Sequence, residues 1–455
     1  MKQLQRTILS AVLAAAMPLC GGTDFPHMTA SAAEYTENGF TYTLRQGEAY
    51  ITAYVGTAAD VIIPETLGGM PVVSIGDYAF SPDKNGKAST SVTMPDTVRA
   101  IGDYAFYDCN ALQSVTLSQN LETIGDYAFA ELAALPTLTL PDTLTAVGEG
   151  CFALSLRLES IVLPEGVTVI PDACFSGCKA LTECPVPEAV TTIGAGAYSG
   201  CVKLTALTLP AAVTVIPDEA FRNCAALTQV DLPGKVVSVG EYAFAGCSSL
   251  AEMPALADCT QYGAFAFSDC TSITSATLAE GTAVIAASMF SGCRSLTKVT
   301  VPSTVTVIGE SAFDACIALI DITLPDRLET LGDLAFAYCI ALETLVLPPT
   351  VTKLYMNSFT MCSELTVYCY ADTPAETLCD RITVPYVVLP LLKDYNADGT
   401  CSVADAVWLM QALTESHMTA DFSAASPDCN NDTLFDLADV TAYLNGLAAL
   451  ADAPV

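Results

Sequence analysis

Apolar side chains recur along this chain in one fixed order. In Leu204 to Cys224 the order is Leu204, Leu207, Leu209, Val213, Ile216, Ala220, Phe221 and Cys224, with polar residues and turn formers between them. The apolar residue opening the "IGDYAF" stretch marks each copy. It stands at Ile75, Ile101, Ile124, Val147, Ile170, Ile193, Ile216, Val239, Tyr262, Ile285, Ile308, Leu331 and Leu354. From Ile101 onward every step is 23 residues. A period held so strictly makes each copy one turn of a stacked coil, because no copy can carry an insertion of its own.

Within a copy the "LTxVTL" part predicts a strand, which Pro210 and its equivalents Pro141, Pro164, Pro233, Pro302 and Pro325 end, since proline cannot donate the next ladder bond. The "VTxI" part predicts a second short extended run, and the "AFxxC" part a helical turn that points its Phe inward. Thirteen turns at about 4.8 Å each make a coil about 60 Å long. Its longest inner column is Phe80, Phe106, Phe129, Phe152, Phe175, Tyr198, Phe221, Phe244, Phe267, Phe290, Phe313, Phe336 and Phe359. Copy one is three residues longer, which predicts a polar loop over Ser81 to Lys87. In copy eight Met253-Pro254-Ala255 replaces the usual strand and predicts a weak point. Before the array, alternation in Phe40 to Leu44 and Tyr50 to Val55 predicts a β-hairpin cap. After it, Tyr368 to Tyr370, a short helix from Pro374 to Arg381 and a strand from Val384 to Leu389 predict a C-terminal cap.

The repeated LTxVTLP and VTxIGDYAF pieces and the Cys that follows them resemble the BspA-like leucine-rich repeats of bacterial surface antigens, over about Glu34 to Pro385. The asparagine of the better-known leucine-rich consensus is absent here. The resemblance implies a β-rich solenoid used for adhesion or protein binding, not catalysis.

The chain has 19 cysteines. Ten lie three residues after the Phe column: Cys109, Cys178, Cys201, Cys224, Cys247, Cys270, Cys293, Cys316, Cys339 and Cys362. Equal spacing implies equal burial, either as a ladder of packed thiols or as alternate pairs. Zinc is disfavoured, because no CxxC pair occurs and only His417 follows the first 32 residues. Lys plus Arg is 17 against 50 Asp plus Glu, a formal charge of −33, which disfavours nucleic acid and anionic lipid as partners. Met1 to Ala32 reads as a secretory signal: Lys2 and Arg6, an apolar run from Ile8 to Leu19, then Ala30-Ser31-Ala32. The expected location is therefore extracellular, with free thiols favouring an anaerobic bacterium. No later run is long and apolar enough to span a membrane.

The chemistry-bearing stretch follows the array. Asp394, Asn396, Asp398, Thr400 and Asp405 occupy positions 1, 3, 5, 7 and 12 of a 12-residue calcium loop, with Gly399 at the sharp turn. The loop returns with Asp428, Asn430, Asp432, Leu434 (through its carbonyl), Asp436 and Asp439. Thr433 replaces the glycine there, so the second of the two Ca²⁺ sites should be weaker. Helices are expected over Val403 to Leu413 and Leu437 to Leu447. Loop-helix, linker, loop-helix resembles a type I dockerin, a small all-α EF-hand-like module. The resemblance implies a cohesin module on the scaffold of a cellulosome-type, polysaccharide-degrading complex as partner. Its partner-reading positions fall on Val403, Ala404, Leu437 and Ala438, where core residues could equally sit.

The expected domains are thus a signal (1–32), an N-terminal cap (33–74), the array (75–366), a C-terminal cap (367–390) and the dockerin-like module (391–455). No histidine is placed for nucleophilic catalysis, and the regularly recurring acids Asp77, Asp103, Asp126 and Asp333 read as solvated turns or helix-start caps. One exposed strand column holds Ser114, Thr137, Ser160, Glu183, Ala206, Gln229, Glu252, Ser275, Lys298, Asp321 and Thr344, beside a column that is mostly Thr. Tyr78, Tyr104 and Tyr127 form either a contact patch or a cover for the core edge. The favoured expectation is a secreted, non-catalytic binding protein with a protein or cell-surface ligand. The alternative is a subunit acting directly on polysaccharide, by glycoside hydrolysis or carbohydrate binding.

Overall fold

The computed structural model describes residues 33–82, 89–232, 235–389, 406–407 and 437–451, with the side chains of the last stretch over 440–448. Between Phe40 and Cys379 the buried residues form one continuous core. Most windings have a front strand, such as Ala206–Thr208, or an isolated front bridge, as at Thr137, Ser160 and Glu183, and a back strand, such as Val215–Ile216. Both pair in parallel with their equivalents one copy away: Leu207 with Val230, Ile216 with Val239. The front strand is shorter than expected. Leu204 N–H turns back to the Cys201 carbonyl, and Pro210 stops the far end.

The "AFxxC" part is not a helical turn. Phe106 N–H donates to the Ala128 carbonyl of the next winding, and Phe129 N–H to Cys151, so this side is a third ladder between windings. The residue before "AF" is left-handed, with φ of 59° at Tyr78, 55° at Tyr104 and 52° at Tyr127. So is the residue before the Cys column, at Asp108, Asn223 and Met361 for example. A helix cannot run through such residues.

The Phe column is stacked as the spacing requires, with ring centroids 4.8 to 6.2 Å apart and every member from Phe106 onward no more than 1% exposed. Each buried ring contributes about 1.5–3 kcal/mol of transfer free energy. Close stacking also demands glycine at one corner. A Cβ on Gly194 would stand 2.2 Å from Asp172 N of the winding before it.

The N-terminal cap is a hairpin, β2 (Phe40–Arg45) and β3 (Glu48–Tyr54), with a further edge strand β1 (Glu34–Glu37). It does more than cover the end. Ile51 pairs with Ile75, Gly76 N–H donates to the Ile51 carbonyl, and Tyr54 stacks on Phe80 at 5.3 Å. Ile51 and Tyr54 therefore begin both columns one winding early, which makes about 14 turns. The C-terminal cap follows expectation: strand Thr366–Tyr370, helix α1 (Pro374–Cys379) and strand Tyr386–Leu389, the two strands continuing the front ladder in parallel. Copy eight has no front strand, so the front ladder is interrupted there, because Pro254 has no N–H to give. Most of the expected polar loop of copy one, from residue 83 on, lies outside the described residues.

Candidate functional site

The face available to a partner is built from the front strands. Inward positions such as Leu207, Val230 and Val299 are 3–5% exposed, and the residues on either side of them are open to solvent. Lys298 and Asp321 pair across adjacent strands at 2.5 Å. Around them lies a concavity of about 850 Å³, lined among others by Glu280, Thr300, Ser303, Thr323 and Arg327. A second, of about 440 Å³, shares Asp321, Thr323, Leu324 and Asp326 with it and reaches Tyr370 and Leu389 of the cap. A third, of about 330 Å³, sits where copy eight loses its strand. Serine, threonine and single charges line this face, an arrangement suited to hydrogen bonding a partner.

Tyr104 stacks on Tyr78 at 4.8 Å and on Tyr127 at 5.1 Å. Gly150 closes the outer side of Tyr127, since a Cβ there would lie 2.3 Å from the ring. Both faces of Tyr104 and Tyr127 are occupied by the protein itself, so they offer no platform to a sugar. The structure favours the edge-covering role.

The recurring acids cap no helix. Each accepts the backbone N–H of its counterpart one winding later: Asp103 N–H to Asp77 Oδ1 at 3.0 Å, Asp126 N–H to Asp103 Oδ1 at 2.9 Å, Glu149 N–H to Asp126 Oδ1 at 2.7 Å. Asp172 and Asp218 accept in the same way from Ala195 and Glu241, whereas Asp333 Oδ1 is buried and unpaired. Stacking carries an electrostatic cost. Partial burial, then the carboxylates of Asp126 and Asp77, raise the pKa of Asp103 above 3.8, against the pull of the Asp126 N–H. For an acid whose folded pKa is raised, stability falls as pH climbs from the unfolded value through the folded one. Asp103→Asn keeps the acceptor oxygen and removes the charge. It is expected to raise the melting temperature slightly at pH 7 and to leave it unchanged at pH 3; a loss at pH 7 would refute the repulsion.

The cysteine column has an analogous task. Each S–H donates to the Phe (or Tyr) carbonyl of the preceding winding: Cys178 to Phe152 at 3.0 Å, Cys224 to Tyr198 at 3.1 Å, Cys362 to Phe336 at 2.9 Å. Ser155 takes the same place in copy four, its hydroxyl 2.7 Å from the Phe129 carbonyl. Its spacing of three from Phe152 was the signal in the sequence. Burial pushes the Cys178 and Cys224 thiols up to about 12, so they are donors, not nucleophiles. Cys224→Ala should cost about 1–2 kcal/mol in urea denaturation, from a lost bond and a small void. Cys224→Ser should cost less, because it keeps the donor; equal costs would show that the bond contributes nothing.

Of the expected calcium ligands, Asp394, Asn396, Asp398, Thr400, Asp405, Asp428, Asn430, Asp432, Leu434 and Asp436 lie outside the described residues, as do Val403 and Ala404. Leu437, Ala438 and Asp439 open a helix, α2 (Leu437–Ala451), at the residue where the second helix was expected. Val440 and Tyr443 on it are buried, and it runs beside the strand Tyr386–Leu389. Of the first expected helix only Ala406 and Val407 are described, and both are helical. Among the described residues, no three His, Cys, Asp or Glu side chains converge on a metal position, and no helix is long and apolar enough to cross a membrane.

Residues 73–205, 191–320 and 283–373 each match the BspA type leucine rich repeat region, so that about two-thirds of the chain is covered. The chain belongs to the BspA-type leucine-rich repeat family. Among solved structures, a leucine-rich repeat protein from Bacteroides ovatus is 26% identical, with a TM-score of 0.66 over 78% of this chain and 99% of that one. The pneumococcal vaccine antigen PcpA shares the fold at 16% identity and a TM-score of 0.51, over 80% of this chain and all of that one. A leucine rich cell surface protein from Faecalibacterium prausnitzii is 26% identical at a TM-score of 0.46, over 79% of this chain and all of that one. No curated protein matches the chain. Membership of the BspA-type family accounts for the array; the match runs from residue 73 to residue 373.

Proposed function

We propose that this BspA-type protein is a secreted, non-catalytic binding protein whose front strand face holds a protein or cell-surface ligand. One observation carries the reading. Inward columns repeat the same side chains from copy to copy, whereas the outward front column changes at nearly every step, from Gln229 to Glu252, Ser275, Lys298, Asp321 and Thr344. A surface that varies on a constant scaffold can carry recognition. The test is capture by the full chain, from extracts of bacterial surface proteins and from plant cell wall. A Thr300→Arg/Thr323→Arg variant, altered in the middle of the 850 Å³ concavity, should retain its ligand at least tenfold less strongly. Equal capture by the variant would overturn the site, and retention on polysaccharide alone would favour direct action on the polysaccharide.

Residues 391–455 are proposed to attach this array to a scaffold as a dockerin, through two Ca²⁺ ions. Asp394, Asn396, Asp398, Thr400 and Asp405 would hold the first ion, and Asp428, Asn430, Asp432, Leu434, Asp436 and Asp439 the second. The start of α2 at Leu437, the residue where the second helix of such a module was expected, supports this reading. Calorimetric titration of the full chain with a type I cohesin, with and without chelator, tests it. Tight binding only with calcium is expected, and its absence would remove the docking role.

A further inference from the structure

The ten thiols of the cysteine column each donate to a carbonyl of an earlier winding, and the two cysteines of the C-terminal cap lie outside that column. Cys369 lies in the strand Thr366–Tyr370, and Cys379 is the last residue of α1, which packs on that strand. Both are buried, at 0% and 1% exposure. The two thiols are close enough for each to shift the other's pKa, and the Val387 carbonyl lies 3.9 Å from the Cys369 sulfur. Both are free thiols here.

We propose that Cys369 and Cys379 form a disulfide, a redox lock that fastens the cap helix to the end of the array. Geometry separates this pair from the column. Column neighbours stand in parallel one strand spacing apart, which keeps their Cβ atoms about 4.8 Å from each other, outside the roughly 3.5–4.5 Å that a disulfide takes. Cys369 and Cys379 come instead from a strand and a helix that face each other. Access separates them too. A column thiol is reached only by opening several windings, whereas α1 is six residues long and closes the end of the coil.

The chemistry is exchange with a small disulfide, RSSR. As the cap forms or opens, one cysteine thiolate attacks a sulfur of RSSR, forming a mixed disulfide and expelling RS⁻. The second thiolate attacks the protein sulfur of that intermediate, closing the Cys369–Cys379 bond and expelling the second RS⁻. Two protein thiols are oxidised, one RSSR is reduced to two RSH, and the two protons pass to the leaving thiolates.

The full chain, reduced and then treated natively with oxidised glutathione, tests this. After alkylation under denaturing conditions it should carry two fewer alkyl groups than the reduced protein, and peptide mapping should show Cys369 joined to Cys379. Amide exchange over 374–389 should then slow on the order of a hundredfold, as closure of a short loop implies. Cys379→Ser should abolish the slowing. An oxidised wild-type chain without this link, or with links between neighbouring column cysteines instead, overturns the proposal. So does a link that leaves exchange unchanged. The mapping on wild type decides the matter even if the variant fails to fold.

Discussion

Phe221→Ala lowers the stability of the array by about 3–5 kcal/mol in urea denaturation followed by circular dichroism, the range for removing a buried aromatic ring. Phe221 is fully buried and stacked between Tyr198 at 5.7 Å and Phe244 at 5.3 Å, so the ring leaves a void with a neighbour on each side. Each winding touches only the next. The damage should therefore concentrate near copy seven and split unfolding into two transitions, one for each side. The interrupted front ladder at copy eight lies directly beside it and makes that split easier. A loss below about 1 kcal/mol would mean that the windings do not share the core argued for above, and a single unsplit transition would mean that coupling reaches beyond adjacent windings.

Removal of calcium is expected to unfold residues 391–455 and spare the array. That segment holds ten acidic residues and one lysine. On the proposed dockerin reading, those carboxylates would repel each other without cations, and ion binding would supply the folding free energy. The array does not depend on an ion in this way: its recurring acids Asp77, Asp103 and Asp126 are satisfied by N–H groups of the next winding. Chelation of the full chain should therefore remove helical circular dichroism and exchange protection over 437–451. The signal of the front and back ladders should stay unchanged. Retained protection in the helix under chelator would end the calcium reading.

The period, the inner columns, the hairpin cap and the order of the C-terminal cap were all legible in the residues. A winding of fixed length can bury its apolar set in only one register, so Ile216, Phe221 and Cys224 announce their neighbours. Three features were not legible. The left-handed residues at Tyr78 and Asp108 have no composition signal, because Tyr, Asp, Glu, Leu, Ala and Met all occupy such positions here. Contacts between windings force that backbone on them, overriding local preference. The winding begun by Ile51 and Tyr54 was hidden because its spacing from Ile to ring is three residues, not five. The pairing of Cys369 with Cys379 depends on how α1 folds back, which no repeat predicts.

For this protein the linear order of apolar residues alone determined a coil, its turn length and what fills it, because burying every copy alike admits one solution. Tertiary structure decided the hydrogen bonding. Acids, thiols and hydroxyls that look like surface turns or inert packing became donors and acceptors between windings. The reason is that stacking brings each backbone group within reach of a side chain 23 or 26 residues away.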